Sequence, residues 1–259
     1  MSELGRWKTA LVTGAASGIG RAFAEALAGH GIAVGLLDIA ADGLEHTATA
    51  IRTRGGRVST HQADVGVTDA VEGAVRDVAA ALGGLDLVVH CAAILGPGAF
   101  ATQPAATFER VIRVDLLGTA NVVRATVPHL RDRRGAIACV VSTAAVHGWP
   151  ALAAYSAAKF GVAGFCDAVR PELAREGVTL TSVFPLLIDT PLLAGADIPP
   201  ILRNGRRLPP QRVVDKTLAA VARGKARVFV PGSVRVLAAL HGLAPTVLDW
   251  YGCRVGFAR

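Results

Sequence analysis

Aromatic residues make up only 5% of this 259-residue chain, and it has a single methionine. Its core must therefore rest on Ala, Val and Leu, which with the other hydrophobic residues reach 52% and suit a buried parallel sheet covered by helices on both faces. Cysteine is scarce too: Cys91, Cys139, Cys166 and Cys253 are widely spread and form no Cys-x-x-Cys pair. Neither a disulfide framework nor a metal site is expected, and with no signal-peptide pattern these read as buried thiols in a reducing cytoplasm. Long apolar runs are missing as well. The most apolar stretch near the end, Ser233 to Tyr251, is interrupted by Arg235, His241, Pro245 and Asp249, which excludes a comfortable membrane span.

Acidic residues are nearly absent from one part of the chain. Residues 201–259 hold 11 basic and 2 acidic side chains, a net of +9, whereas residues 1–200 hold 16 and 18, a net of −2. This basic segment mixes Arg with Leu, Val and Pro and lacks interleaved aromatics, so nucleic acid is not an expected partner. A solvated basic face is the first expectation, and a contact with an anionic membrane surface or an acidic substrate the second.

The length fits one domain over residues 1–259. Short aliphatic runs alternate with longer helical patterns, the mark of repeated βαβ units. Strands are predicted near 8–13, 32–38, 57–63, 85–91, 135–142, 178–184 and 226–230, and helices near 18–29, 42–54, 68–82, 104–131, 153–176 and 210–223. The fold class is α/β: a doubly wound, Rossmann-type sheet of seven parallel strands, with ligands beyond the carboxyl ends of the strands. Residues 186–210 carry five prolines (Pro191, Pro199, Pro200, Pro209, Pro210) and read as a substrate or lid loop. Residues 233–259 form an apolar and basic C-terminal segment.

Two motifs carry chemistry. Thr13 to Gly20 follows the first strand and opens the first helix, and its small residues Gly14, Gly18 and Gly20, with Ser17 and Ile19, let backbone amides approach a pyrophosphate. Asp38 ends the second strand, where a carboxylate accepts bonds from ribose hydroxyls and repels a 2′-phosphate; neither Ser17 nor Ile39 supplies a compensating cation, so NAD is expected over NADP. The second motif is Tyr155 and Lys159, one helical turn apart, with Ser142 thirteen residues upstream of the tyrosine. The ammonium beside the phenol is expected to acidify Tyr155 toward neutral pH. Chance rarely sets such a pair in a chain with 2 Tyr and 4 Lys.

Together these residues resemble the short-chain dehydrogenase/reductase family over nearly the whole chain up to the last thirty residues. The family's Thr-Gly-x-x-x-Gly-x-Gly is met by Thr13 to Gly20, its Tyr-x-x-x-Lys by Tyr155 and Lys159, and its catalytic serine by Ser142. Asp64 and Val65 match the pair that contacts adenine, and Pro185, Ile188 and Thr190 match the stretch that holds the nicotinamide carboxamide. The resemblance implies hydride transfer between a nicotinamide and a carbon bearing oxygen. Tyr155 would then be the general acid/base, Lys159 would lower its pKa and hold the nicotinamide ribose, and Ser142 would orient the substrate. It also implies a homo-oligomer, a tetramer first, through the two long helices.

Three departures stand out. His90-Cys91-Ala92-Ala93 replaces the family's Asn-Asn-Ala-Gly, Asp115 replaces its fourth catalytic residue, an Asn, and Leu186 replaces the Gly after Pro185. Asp115 is expected to tether the solvent end of the proton relay, and Cys91, Ala92 and Ala93 to pack near the cofactor. The pocket wall is expected to include Ile94, Leu95, His147, Trp149, Leu186, Leu187, Leu192 and Leu193. Such a wall suits a lipophilic alcohol or ketone of steroid, retinoid, long-chain or polyketide type. The rival reading, motivated by Asp115, Ala93 and Leu186, is a cofactor-binding sensor or scaffold with weak catalysis.

Overall fold

A computed structural model describes residues 3–194, 198, 203–243 and 246. Its strands are β1 Thr9–Thr13, β2 Ala33–Asp38, β3 Val58–Gln62, β4 Leu87–His90, β5 Ala136–Val140, β6 Thr179–Pro185 and β7 Arg227–Val230. They form one sheet in the order β3-β2-β1-β4-β5-β6-β7, and every pairing is parallel. The helices are α1 Gly18–Gly29, α2 Ala41–Thr53, α3 Thr68–Leu82, α4 Ala105–Val111, α5 Gly118–Arg131, α6 Ala153–Arg175, α7 Pro210–Ala222 and α8 Val234–Leu243.

Side chains alternate across the sheet, so each central strand feeds two cores. On one face Leu11, Val88, Ile137 and Cys139 pack with Val71, Val75 and Val78 of α3, Val122 of α5 and Val162 of α6. On the other, Ala10, Val12, Val34, Leu87 and Val89 pack with Phe23 and Leu27 of α1, Leu44 and Ile51 of α2, and Val213 and Leu218 of α7. The seven strands and the doubly wound single domain expected from the alternating pattern are those observed.

Three differences concern the site. The helix expected over 104–131 is interrupted: between α4 and α5 the turn Ile112–Leu117 is a π-helix, a widened geometry that turns Asp115 inward. The 186–210 loop is pinned at its base, where Ile188 bridges Leu208 and Leu208 donates to the Leu187 carbonyl at 2.8 Å. Within it Pro191–Leu193 form a 3-10 turn, while 195–197 and 199–202, with Pro199 and Pro200, lie outside the described residues. The C-terminal segment begins with α8, for which no helix was expected; residues 244, 245 and 247–259 lie outside the described residues. Among the described residues no helix is long and apolar enough to cross a membrane, and no group of three His, Cys, Asp or Glu side chains is placed to hold a metal ion.

Asp86 ties the amino ends of the central strands together. Its Oδ2 accepts from the backbone N–H of Lys8 (2.7 Å) and Thr9 (3.0 Å), and its Oδ1 accepts from Arg133 (2.9 Å). Burial pushes the carboxyl pKa up, but Arg133 and the two N–H groups outweigh it and hold it below the ordinary value. A carboxyl with a depressed native pKa stabilises the fold above the unfolded pKa of ~3.9 and loses that contribution as pH falls through the native pKa. Asp86→Ala is expected to lower the unfolding free energy by about 2–4 kcal/mol at neutral pH, and by less in acid, in urea titrations at both pH values.

Candidate active site

The glycine turn leaves β1 beside the segment that leaves β4, and the two backbones nearly touch. A Cβ on Gly14, whose φ is +66°, would stand 2.8 Å from the Ala92 nitrogen, and one on Gly20 would stand 2.1 Å from the Gly14 oxygen. Only glycine fits both places. Ser17 begins α1 without spending its side chain on a cap, and the first turn carries no acidic residue, so the helix N-terminus keeps amide donors for an anion.

A cavity opens over this turn, lined by Gly14, Ser17, Gly18, Ile19 and Gly20 on one side and by Asp38, Ile39, Asp64 and Val65 on another. Cys91, Ala92 and Ala93 form its floor, and Thr190 closes it near Gly18. Asp38 is fixed by two backbone donors, Ala16 N–H to Oδ2 and Ala40 N–H to Oδ1, each at 3.0 Å. Asp64 accepts from Gly66 N–H at 2.8 Å and pairs with Arg113 at 3.0 Å. The glycine cradle, free amides and fixed carboxylate fit a dinucleotide. The lining also includes Arg110, which the sequence reading missed. Val114, four residues further on, lines the same cavity.

A second cavity continues from the first, sharing Ile19, Cys91, Ala93, Thr190 and Leu192 with it. Its lining brings together Ser142, Tyr155 and Lys159 with Pro185, Leu186, Leu187 and Ile188. Ser142 leaves the end of β5, and its Oγ accepts the Ala144 N–H at 3.1 Å, which orients the hydroxyl. Lys159 Nζ sits 5.4 Å from the Tyr155 ring centroid, 3.5 Å from the Val140 carbonyl and 3.3 Å from Asp115 Oδ2. The i, i+4 geometry read from the sequence is present.

Its electrostatic consequence is not. Burial pushes the Tyr155 phenol above its ordinary value; Lys159 and a hydrogen bond with Ser142 pull it down, but Asp115 adds to the rise. Lys159 is only 2% exposed, and although burial opposes its charge, Asp115 and Tyr155 leave it above the ordinary lysine value. Asp115 is 0% exposed and its carboxyl is raised, by burial first, against the pull of Lys159. The expectation that Asp115 tethers the solvent end of a relay is therefore corrected: it is a buried counter-charge paired with the lysine itself.

Of the expected substrate wall, Leu95, Trp149, Leu186, Leu187, Leu192 and Leu193 line the second cavity, and Ile94 lines the first. His147 does not line either. It is buried edge-on against Trp149, 5.4 Å between centroids, and against His241 of α8 at 5.6 Å, so it backs the wall instead of facing the cavity.

A family model described as short chain dehydrogenase matches residues 8–198. The cis-4-hydroxycyclohexanecarboxylate dehydrogenase of Sinomonas cyclohexanicum is 36% identical over 242 residues, covering 90% of this chain and 96% of its own. The probable oxidoreductase EphD of Mycobacterium tuberculosis is 35% identical over 252 residues, 93% of this chain but 42% of its own, so the chain spans less than half of that relative. Among solved structures, an actinorhodin polyketide ketoreductase with NADPH has a TM-score of 0.79 at 28% identity, covering 90% of this chain and 99% of that one. A family match across most of the chain, joined to a cradle that fits a nicotinamide dinucleotide, leads to one identification: the chain is an oxidoreductase of the short-chain dehydrogenase/reductase family.

Proposed function

We propose that this oxidoreductase interconverts a secondary alcohol and a ketone with NAD(H), on a lipophilic substrate. The observation that carries the reading is the meeting of Ser142, Tyr155 and Lys159 in a cavity continuous with the glycine cradle. A bound dinucleotide supplies the two-electron chemistry, giving a hydride to a carbonyl carbon or taking one from an alcohol carbon. Gly14 to Gly20, Asp38, Asp64 and Val65 would hold its adenosine and phosphates, and Pro185, Ile188 and Thr190 its other end. Tyr155 gives or takes the proton at the substrate oxygen. Ser142, with its Oγ already accepting a backbone N–H, keeps its own proton to donate to that oxygen. Lys159 holds positive charge beside the phenol.

The preference for NAD rests on Asp38. Its two backbone donors fix a negative charge at the adenosine end, suited to ribose hydroxyls and unfavourable to a 2′-phosphate. Arg110 is the observation that favours the other reading, because it brings a cation to the same lining. The lipophilic substrate class is supported by the leucines and Trp149 of the second cavity. We further propose a cytoplasmic homotetramer. Leu117 at the end of the π-turn, 52% exposed, and Phe160 of α6, 42% exposed, support association.

In a screen of cyclic, long-chain and polyketide-like ketones and alcohols against small polyols, turnover of the lipophilic compounds is expected. Tyr155→Phe should lower kcat by about 100- to 10,000-fold. An unchanged rate in that variant would instead favour the sensor reading. Asp38→Ala should raise the KM for NAD by about 10- to 100-fold and narrow the gap to NADP; a wild-type preference for NADP would overturn the reading of Asp38. Sedimentation velocity should give a tetramer that Leu117→Glu dissociates, and a wild-type monomer would remove that part.

A further inference from the structure

Asp115 is held from both its side chain and its backbone. Oδ1 accepts the Ile94 N–H at 2.9 Å. Oδ2 has no hydrogen-bond partner among the described residues and rests on the ion pair with Lys159 at 3.3 Å. The Asp115 carbonyl accepts the Thr119 hydroxyl at 2.5 Å. With its proton spent there, Thr119 Oγ1 must accept from His90 Nε2 at 3.0 Å, which leaves His90 Nδ1 to accept from the Thr13 hydroxyl at 2.7 Å. Thr13 Oγ1 in turn lies within 3.2 Å of the Cys91 N–H and 3.3 Å of the Ala92 N–H. The network thus assigns a neutral His90 protonated on Nε2. Burial, aided by Lys159, pushes its pKa down to about 3, so it stays neutral. A rotation of the Asp115 side chain away from the lysine would break the Ile94 bond, and a shift of its backbone would break the Thr119 bond.

From this geometry we propose that Asp115 is a positioning residue that offsets the Lys159 ammonium, keeps Tyr155 a phenol at neutral pH, and so poises the site for carbonyl reduction. The proposal rests on the reading of Tyr155 as the proton-transfer group. The groups that act on Tyr155 are Lys159 from its own helix, Asp115 from the π-turn and the Ser142 hydroxyl after β5; neutral His90 on β4 lies in the field of the same lysine. Cys91 after β4 and Cys139 on β5 stay thiols; burial raises the first, and a hydrogen bond with Cys166 leads the rise of the second. One cation and one anion therefore sit beside the phenol, and their fields partly cancel at its oxygen. In the reductive direction the substrate carbon gains the hydride of the reduced dinucleotide while its oxygen takes the Tyr155 proton. The phenolate left behind regains a proton from solvent before the next turnover.

Tyr155 and Tyr251 are the two tyrosines of the chain, so in a Tyr251→Phe background tyrosinate absorbance reads Tyr155 alone, without substrate or cofactor. With Asp115 present, Tyr155 is expected to stay un-ionised until circular dichroism shows alkaline unfolding. Asp115→Asn, which retains an acceptor for Ile94, should ionise while still folded, its midpoint lower by roughly one pH unit or more. Asp115→Ser, also able to accept that N–H, replaces it if the asparagine variant does not fold. An unchanged or higher midpoint in the folded variant overturns the proposal. In turnover, the pH of half-maximal alcohol oxidation should fall in parallel. Failure of the whole substrate screen would count against the assigned activity and leave the titration to judge Asp115.

Discussion

Seven parallel strands point all their carboxyl ends to one side, and the strand order reverses between β1 and β4. Crossovers that are right-handed must then leave these two neighbours toward opposite faces of the sheet, and a crevice opens where they part. The candidate site is built along this carboxyl edge, with the crevice between β1 and β4 at its centre. The glycine turn follows β1, the Cys91–Ala93 floor follows β4, Ser142 follows β5 and Pro185 ends β6. Thr13 and His90 are register partners across the switch, so the hydroxyl before the glycine turn and the imidazole before the floor meet at 2.7 Å.

The two ends of the sheet treat buried charge differently. At the amino end Asp86 receives two backbone N–H groups, the Thr9 hydroxyl at 3.2 Å and Arg133, a set that satisfies both oxygens. Its negative charge is well solvated by protein, and its role is to hold strands. At the carboxyl end Asp115 and Lys159 are more deeply buried, and among the described residues one oxygen of Asp115 has no partner but the ammonium. Replacing such a pair with apolar residues often costs nothing, whereas removing one member strands the other. A pair of that kind is poorly explained by stability. It is better explained by what stands beside it, the Tyr155 phenol in a cavity wall.

Features governed by local sequence were legible. Short aliphatic runs alternating with helical patterns located the seven strands and most helices, and the glycine turn and the Tyr155–Lys159 spacing announced the two halves of the cleft. What escaped depended on residues distant in the chain. The π-turn at Ile112–Leu117 makes sense only when Asp115 is seen to reach the Ile94 N–H, and nothing in a helical periodicity reports that contact. The i, i+4 spacing revealed the lysine beside Tyr155, and Asp115 in place of an Asn set a carboxylate near that lysine, but neither reported the burial that leads the rise of the phenol. His147 was assigned to the cavity by its nearness to Ser142, yet it lies behind Trp149, with His241 of α8, unforeseen in the sequence, against it.

The three departures from the family pattern do not act separately. His90 has two ring nitrogens where a shorter amide has a branched head, and it spans from Thr13 Oγ1 to Thr119 Oγ1 across the switch. That span works in one direction only, because Thr119 has already given its proton to the Asp115 carbonyl. Reversing the imidazole tautomer would set two acceptors, Nε2 and Thr119 Oγ1, against each other in a buried site, at a cost comparable to leaving a buried polar group unmet. The histidine therefore stiffens the very turn that presents the aspartate, and the aspartate's carbonyl in turn selects the histidine's tautomer. Leu186 stands apart from this chain: its N–H pairs with the Val230 carbonyl at 2.8 Å and its side chain only narrows the cavity. Two of the departures are thus one electrostatic unit joined through Thr119, and the third shapes the space in which that unit acts.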